Sequence, residues 1–171
     1  MEPEVKPGSP AEIARSIFDA LVKHDLESAL KFVAPSCTDD FVALGEFRGQ
    51  SEIRNFFREL FQAFPDFEMS VLRVVGDDST AAVQWSAHGT FSGGQFQGIE
   101  PTGKRLEVRG VDVMEISGGL VQHNTIYYDG ASFARQLGLL PRQGSSADKA
   151  MMSAFNAVTK FRRRAASRQR G

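Results

Sequence analysis

The apolar residues change their spacing once, near Pro65, and that change constrains the fold more than anything else in the chain. Upstream, Ile13, Ile17, Phe18 and Leu21 recur at helical intervals behind Ser9-Pro10, a pairing of cap and first-turn proline that suits a helix start. After a break at His24-Asp25, Leu26, Ala29, Leu30 and Val33 predict a second short helix stopping at Pro35, and Phe41–Leu44 reads as a short extended segment. A third helix follows Gly49, with Ser51 as its expected cap and Ile53, Phe56, Phe57, Leu60 and Phe61 on one face. Downstream the period falls to two. Phe67–Val75 and Ala81–Phe91 flank Gly76-Asp77-Asp78, and Leu106–Ile116 and Leu120–Tyr128 flank Ser117-Gly118-Gly119.

Three helices followed by a four-stranded antiparallel meander make an α+β plan. A strongly curved sheet wrapped around helices leaves one cavity, the natural place for a small ligand. Ser92–Gly103 is a Gly-rich loop or extended arm, and Gly130–Leu139 a closing helix with Asp129 at its N-cap position. Ala147–Arg164 reads as an extra amphipathic helix through Met151, Met152, Phe155, Val158 and Phe161. The expected organisation is a flexible leader over residues 1–10, a domain over 11–143 and a basic helical extension over 144–171.

Composition narrows the function. Fourteen Phe against two Tyr and one Trp call for a packed or pocket-forming aromatic interior. No apolar run approaches the roughly 18–20 residues of a membrane span, and the first ten residues lack the apolar stretch of a signal peptide. A single cysteine, Cys37, excludes an intrachain disulfide framework. The expected location is the cytoplasm. Charge is divided unevenly: residues 142–171 hold eight Lys and Arg and one acid, whereas residues 1–141 hold twelve bases and twenty acids. Such a tail suits a polyanion, a membrane surface or an acidic face, but the acidic body argues against nucleic acid.

Gly98–Lys104 reads GIEPTGK and Gln136–Pro141 reads QLGLLP, with two alternating strands joined by a Gly-Gly turn between them. With FRGQSEIRNFF and TGKRLEVRGVDV, these strings resemble the SnoaL-like family of polyketide cyclases and ester cyclases, within the nuclear transport factor 2-like superfamily, over about residues 11–141. The resemblance implies a conical α+β barrel with a deep internal pocket, often dimerising through its open sheet. It also implies an aldol cyclase mechanism in which an aspartate on the last strand exchanges protons, assisted by a histidine on the preceding strand. Counted back from QLG, the aspartate position holds Ile126 and the histidine position holds Asp112. Isoleucine cannot exchange a proton, so that mechanism does not transfer unaltered.

In the family register, Gly110, Asp112 and Met114 share the concave face with Gln122, Asn124, Ile126 and Tyr128. Asp112 is then a lone carboxylate on an apolar face, where desolvation raises its pKa toward that of a general base at neutrality. The alternative is a structural Asp112 held by Asn124, Gln122 or Trp85. Asn124 and Tyr128 are candidate contacts to a ligand oxygen, with Trp85, Ile126 and Met114 as pocket walls. His88 has the wrong parity relative to Trp85 and is expected to face solvent or a dimer partner. His24, His123 and Cys37 are assigned no role, and Asp129 is read as a helix cap.

No element carries His, Cys, Asp and Glu at metal-ligand spacing, and no phosphate-cradling glycine string precedes a helix, so neither metal nor cofactor is expected. Three functions remain open. One is a cofactor-independent cyclase- or isomerase-like enzyme acting on a small apolar carbonyl compound through Asp112. The second is a non-catalytic ligand-binding domain, and the third an interaction module working through the tail helix. A homodimer is expected in each case.

Overall fold

The computed structural model describes residues 8–168. Residues 1–7, most of the expected leader, and Arg170 in the basic tail lie outside the described residues. Helix α1 (Pro10–Val22) begins with a reciprocal cap: the Ser9 backbone N–H donates to Glu12 Oε2 at 2.7 Å, and Ser9 Oγ accepts from the Glu12 backbone N–H at 3.4 Å. Its buried face carries Ile13, Ala14, Ile17, Phe18 and Leu21. After α2 (Leu26–Leu30) the chain enters β1 (Val33–Phe41) and a short β2 (Gly45–Arg48), which leads into α3 (Gly49–Ala63).

The remaining elements are β3 (Glu68–Gly76), β4 (Thr80–Thr90), β5 (Arg105–Ser117), β6 (Leu120–Tyr128), α4 (Gly130–Leu137) and α5 (Ser146–Arg168). The fold is the expected α+β one, a curved sheet closed over helices with an extra C-terminal helix. The sheet holds six strands in the order β2-β1-β6-β5-β4-β3. Four of them form the expected antiparallel meander, and β1 adds to its end in parallel with β6.

The difference lies at Pro35, where a helix was expected to stop and a strand runs through instead. The β1–β6 register breaks between Val33 and Thr38, and β1 pairs with β2 only from Thr38 onward. Pro35 therefore sits where no ladder hydrogen bond is demanded of it. Ser51 does not cap α3. The helix starts without a side-chain cap, and the backbone N–H of Arg48 just before it donates to the Glu52 carboxylate at 2.7 Å. Asp129 caps α4 as expected, its Oδ1 accepting the Ser132 N–H at 2.8 Å, while Gly138 ends that helix in the left-handed conformation at φ 87°.

Candidate functional site

A cavity of about 90 Å³ lies between the concave face of the sheet and α3, α4 and the 92–104 loop. Its walls account for many of the phenylalanines. Ring contacts run from Phe41 to Phe56 (4.3 Å between centroids), from Phe56 to Phe96 (5.8 Å), and on through Phe133 to Tyr128 (6.3 and 5.9 Å). The loop that supplies Phe96 pins the ring with its own bridge, Phe96 pairing to Ile99.

The polar lining gathers on adjacent strands. Asp112 on β5 is 7% exposed and receives two hydrogen bonds, from Trp85 Nε1–H at 2.7 Å and from Asn124 Nδ2–H at 2.9 Å. The indole reaches it because residue 110 is glycine. A Cβ there would stand 2.4 Å from Trp85 Cζ2, so any other residue would push the ring off the strand. Both donors were among the three partners the sequence suggested. The third, Gln122, is not on this face. A register shift between Glu115 and Ile116 turns it outward, where its Nε2 donates to the backbone carbonyls of Ser117 and Leu120.

A second carboxyl completes the group, and sequence reasoning missed it. Asp39 on β1 is 6% exposed, lines the same cavity, and lies opposite Asn124 in the β1–β6 register. The Cys37 thiol donates to Asp39 Oδ1 at a long 3.9 Å. Burial, together with the Asp112 charge beside it, pushes the Asp39 carboxyl up to about 7, although Asn124 favours its ionised form. Burial also lifts Asp112, to about 6, against the pull of the Asn124 and Trp85 donors. Both carboxyls are thus held above the ordinary carboxylate range, Asp39 by burial and the neighbouring Asp112 charge and Asp112 by burial. Burial raises the Cys37 thiol to about 12.

Three further buried atoms in this region have no hydrogen-bond partner among the described residues: Asn124 Oδ1, Tyr128 OH and His88 Nδ1. Desolvation raises the Tyr128 hydroxyl to about 12, so it remains a donor. Ile126 is buried on the cavity wall directly opposite Asp112 in the strand pairing. Met114 is buried beside Asn124 but does not border the cavity. His88 does border it, while its Nε2 stands 3.5 Å from Glu68 at the strand edge. His24, given no role from sequence, ties the α1–α2 break to the end of α3 and the segment that leads into β3. Its ring stacks on Phe61 at 4.3 Å and its Nε2 lies 3.0 Å from the Phe67 carbonyl oxygen.

A larger groove of about 700 Å³ adjoins the cavity, and the two share Ala87, His88, Val108 and Phe133 as a common wall. Among the described residues, no three His, Cys, Asp or Glu side chains converge where a metal ion could be held, and no helix is long and apolar enough to cross a membrane.

Comparison with known proteins agrees with this geometry. The sequence model of the SnoaL-like polyketide cyclase family matches residues 11–137. No curated protein matches the chain. Similar solved structures include AclR, a candidate hydroxylase from Streptomyces galilaeus, at 20% identity over 90% of this chain and 98% of that one, with a TM-score of 0.67. IdmH from Streptomyces antibioticus, described as a candidate polyketide cyclase, is 21% identical over 77% and 99% of the two chains, with a TM-score of 0.63. An NTF2-like protein from Burkholderia thailandensis is 23% identical over 78% and 99%, with a TM-score of 0.64. At these identities the likeness establishes a shared fold.

Proposed function

The chain belongs to the SnoaL-like polyketide cyclase family, and from that premise we propose that its cavity takes a small apolar carbonyl compound and moves a proton on it. The observation that carries this reading is the carboxyl pair, Asp112 and Asp39, buried against an aromatic cavity with no Lys or Arg among the described residues that line it. Position 126, where the resemblance puts the cyclase acid, is an isoleucine, and its cross-strand neighbour is Asp112. Side chains so paired stand about 5 Å apart at Cβ, so a carboxyl on β5 serves nearly the same point in the cavity.

The pair divides the work. Asp112, steadied by two N–H donors, is the ionised member and the base that takes a proton from the carbon beside the carbonyl. The bond electrons shift onto the carbonyl oxygen, where Asp39 delivers its proton or a hydrogen bond to the developing enolate. Return of a proton to a different carbon gives the isomer, and attack of the enolate on a second carbonyl gives the ring. Neither outcome needs an external oxidant or reductant. Asn124 Oδ1 and the Tyr128 hydroxyl, both without a partner among the described residues, orient the ligand.

The cavity is smaller than the roughly 300–1,000 Å³ usual for ligand sites. A substrate beyond a few atoms would displace Phe133 and extend into the adjoining groove. A homodimer in the cytoplasm belongs to this reading, and Val71, Leu72, Val75 and Tyr127, all exposed along β3 and β6, support the assembly.

Deuterium incorporation into 1-indanone and acetophenone, followed by NMR in heavy water, tests the reaction. Wild-type protein is expected to accelerate exchange at the carbon beside the carbonyl, and Asp112→Asn and Asp39→Asn to abolish the acceleration. Exchange undiminished in both variants would refute the assignment. A second reading, ligand binding without turnover, is favoured by the two donors that already occupy Asp112. Saturable binding of either ketone with no exchange would establish it.

A further inference from the structure

Helix α5 stands clear of the domain. Every side chain from 149 to 166 is exposed, including Phe155 at 65% and Phe161 at 74%. Six of its apolar positions, Ala147, Met151, Ala154, Val158, Phe161 and Ala165, are spaced four, three, four, three and four residues apart, with Met152 and Phe155 outside that series. That series is the heptad seam of a helix that pairs with another helix, and Phe155 borders it. We propose that the occupant of this seam is α5 of a second copy of this chain, packed antiparallel.

Heptad geometry selects the register. In an antiparallel pair, the seam residues at the two core positions face one another across the interface. One alignment uses all six: Met151 against Phe161, Ala154 against Val158, and Ala147 against Ala165 of the second copy. The large side chains meet in the two outer-middle layers and the alanines close the ends. Residues 148, 155 and 162 then flank the seam on one side. Asp148, the only acid of the helix, is set against Arg162 of the second copy, and the two Phe155 rings meet at the centre.

Charge selects the direction. A parallel pair would bring both copies of Arg162, Arg163 and Arg164 together and leave Asp148 facing no cation. The antiparallel pair moves the basic clusters to opposite ends, about 1.5 Å apart along the axis for each residue separating them. Asp148 can serve this contact while holding its own cap, because Oδ2 accepts the Gly144 N–H at 2.8 Å and the rest of the carboxylate remains available. Three heptads make a weak pair in isolation. Attachment to a domain that itself dimerises would raise the effective concentration of the helices.

Cysteine crosslinking of the full chain reads out both pairing and direction, and Cys37 is silent because it is fully buried. Met151→Cys and Phe161→Cys chains, differently tagged and mixed under mild oxidation, are expected to form the mixed disulfide dimer. Neither variant alone should crosslink appreciably. Asp148→Arg should lower the yield about two- to five-fold, and adding Arg162→Asp should restore it. Loss of the Asp148 cap alone would not be restored by the second change. Crosslinking of Met151→Cys with itself would contradict the antiparallel direction. Monomer in every sample would overturn the pairing, and concurrent retention of the chain on phosphatidylserine vesicles would assign the α5 face to lipid.

Discussion

The cavity and α5 invert the usual distribution of polar and apolar groups in opposite senses. In the cavity, two carboxyls are buried among phenylalanines, with no Lys or Arg among the described residues that line it. On α5, Met, Val and Phe side chains stand in water with no core over them. Both arrangements oppose folding stability, the first through desolvation and the second through unburied apolar area. The two differ in what relieves them. A proton, or a ligand that accepts one, relieves the cavity, whereas only another surface relieves α5. Departures from the inside-outside rule in this fold therefore separate a chemical site from a docking site.

Four measurements break or sharpen that contrast. The largest effect is expected on proton exchange: Asp112→Asn or Asp39→Asn should slow it about 100- to 10,000-fold, the usual contribution of a positioned acid or base. Polar substitutions on α5 should leave it unchanged. Next, Gly110→Ala should displace the Trp85 indole and break its bond to Asp112. The expected cost is about 1–3 kcal/mol in denaturant unfolding, with a shift in the emission of the chain's single tryptophan.

The third effect is pH-dependent. Both carboxyls are raised in the folded state, so between about pH 4 and 7 the unfolded chain gives up its protons while the folded chain keeps them. Stability consequently falls as pH rises through that window and levels off above it. Asp39→Asn should flatten the profile and raise stability at pH 8 by about 1–4 kcal/mol, as when a buried charge is replaced by a neutral group of the same shape. Thermal melts across the range check it. The smallest effect belongs to α5: Val158→Glu should move the melting of the domain by no more than about 0.5 kcal/mol while abolishing the disulfide between Met151→Cys and Phe161→Cys chains.

The alternating strands, the capped first helix, the Asp129 cap and the partners of Asp112 were all legible in the sequence, because each is written in local spacing. Asp39 was not. The inward positions of its strand are Cys37, Asp39 and Phe41, so the carboxyl itself interrupts the apolar alternation that marks a strand. Pro35 a few residues earlier reads as a stop, and only the register break against β6 lets it stay. Gln122 was misplaced for a related reason, since a bulge reverses the parity of every residue counted across it. In both cases the missing information lies in the neighbouring strand. The heptad of α5 was visible as an amphipathic stripe, but the absence of any covering element required the structure.

The central claim is that Asp39 and Asp112 share a proton near neutrality, and titration of selectively 13C-labelled aspartate carboxyls by NMR tests it most directly. The account predicts a buried resonance that titrates between about pH 6 and 7 and disappears in Asp39→Asn, with Asp112 shifting in the same variant. If every aspartate titrated at its ordinary value near 4, the pair would be two independent carboxylates and the proposed division of labour would be wrong.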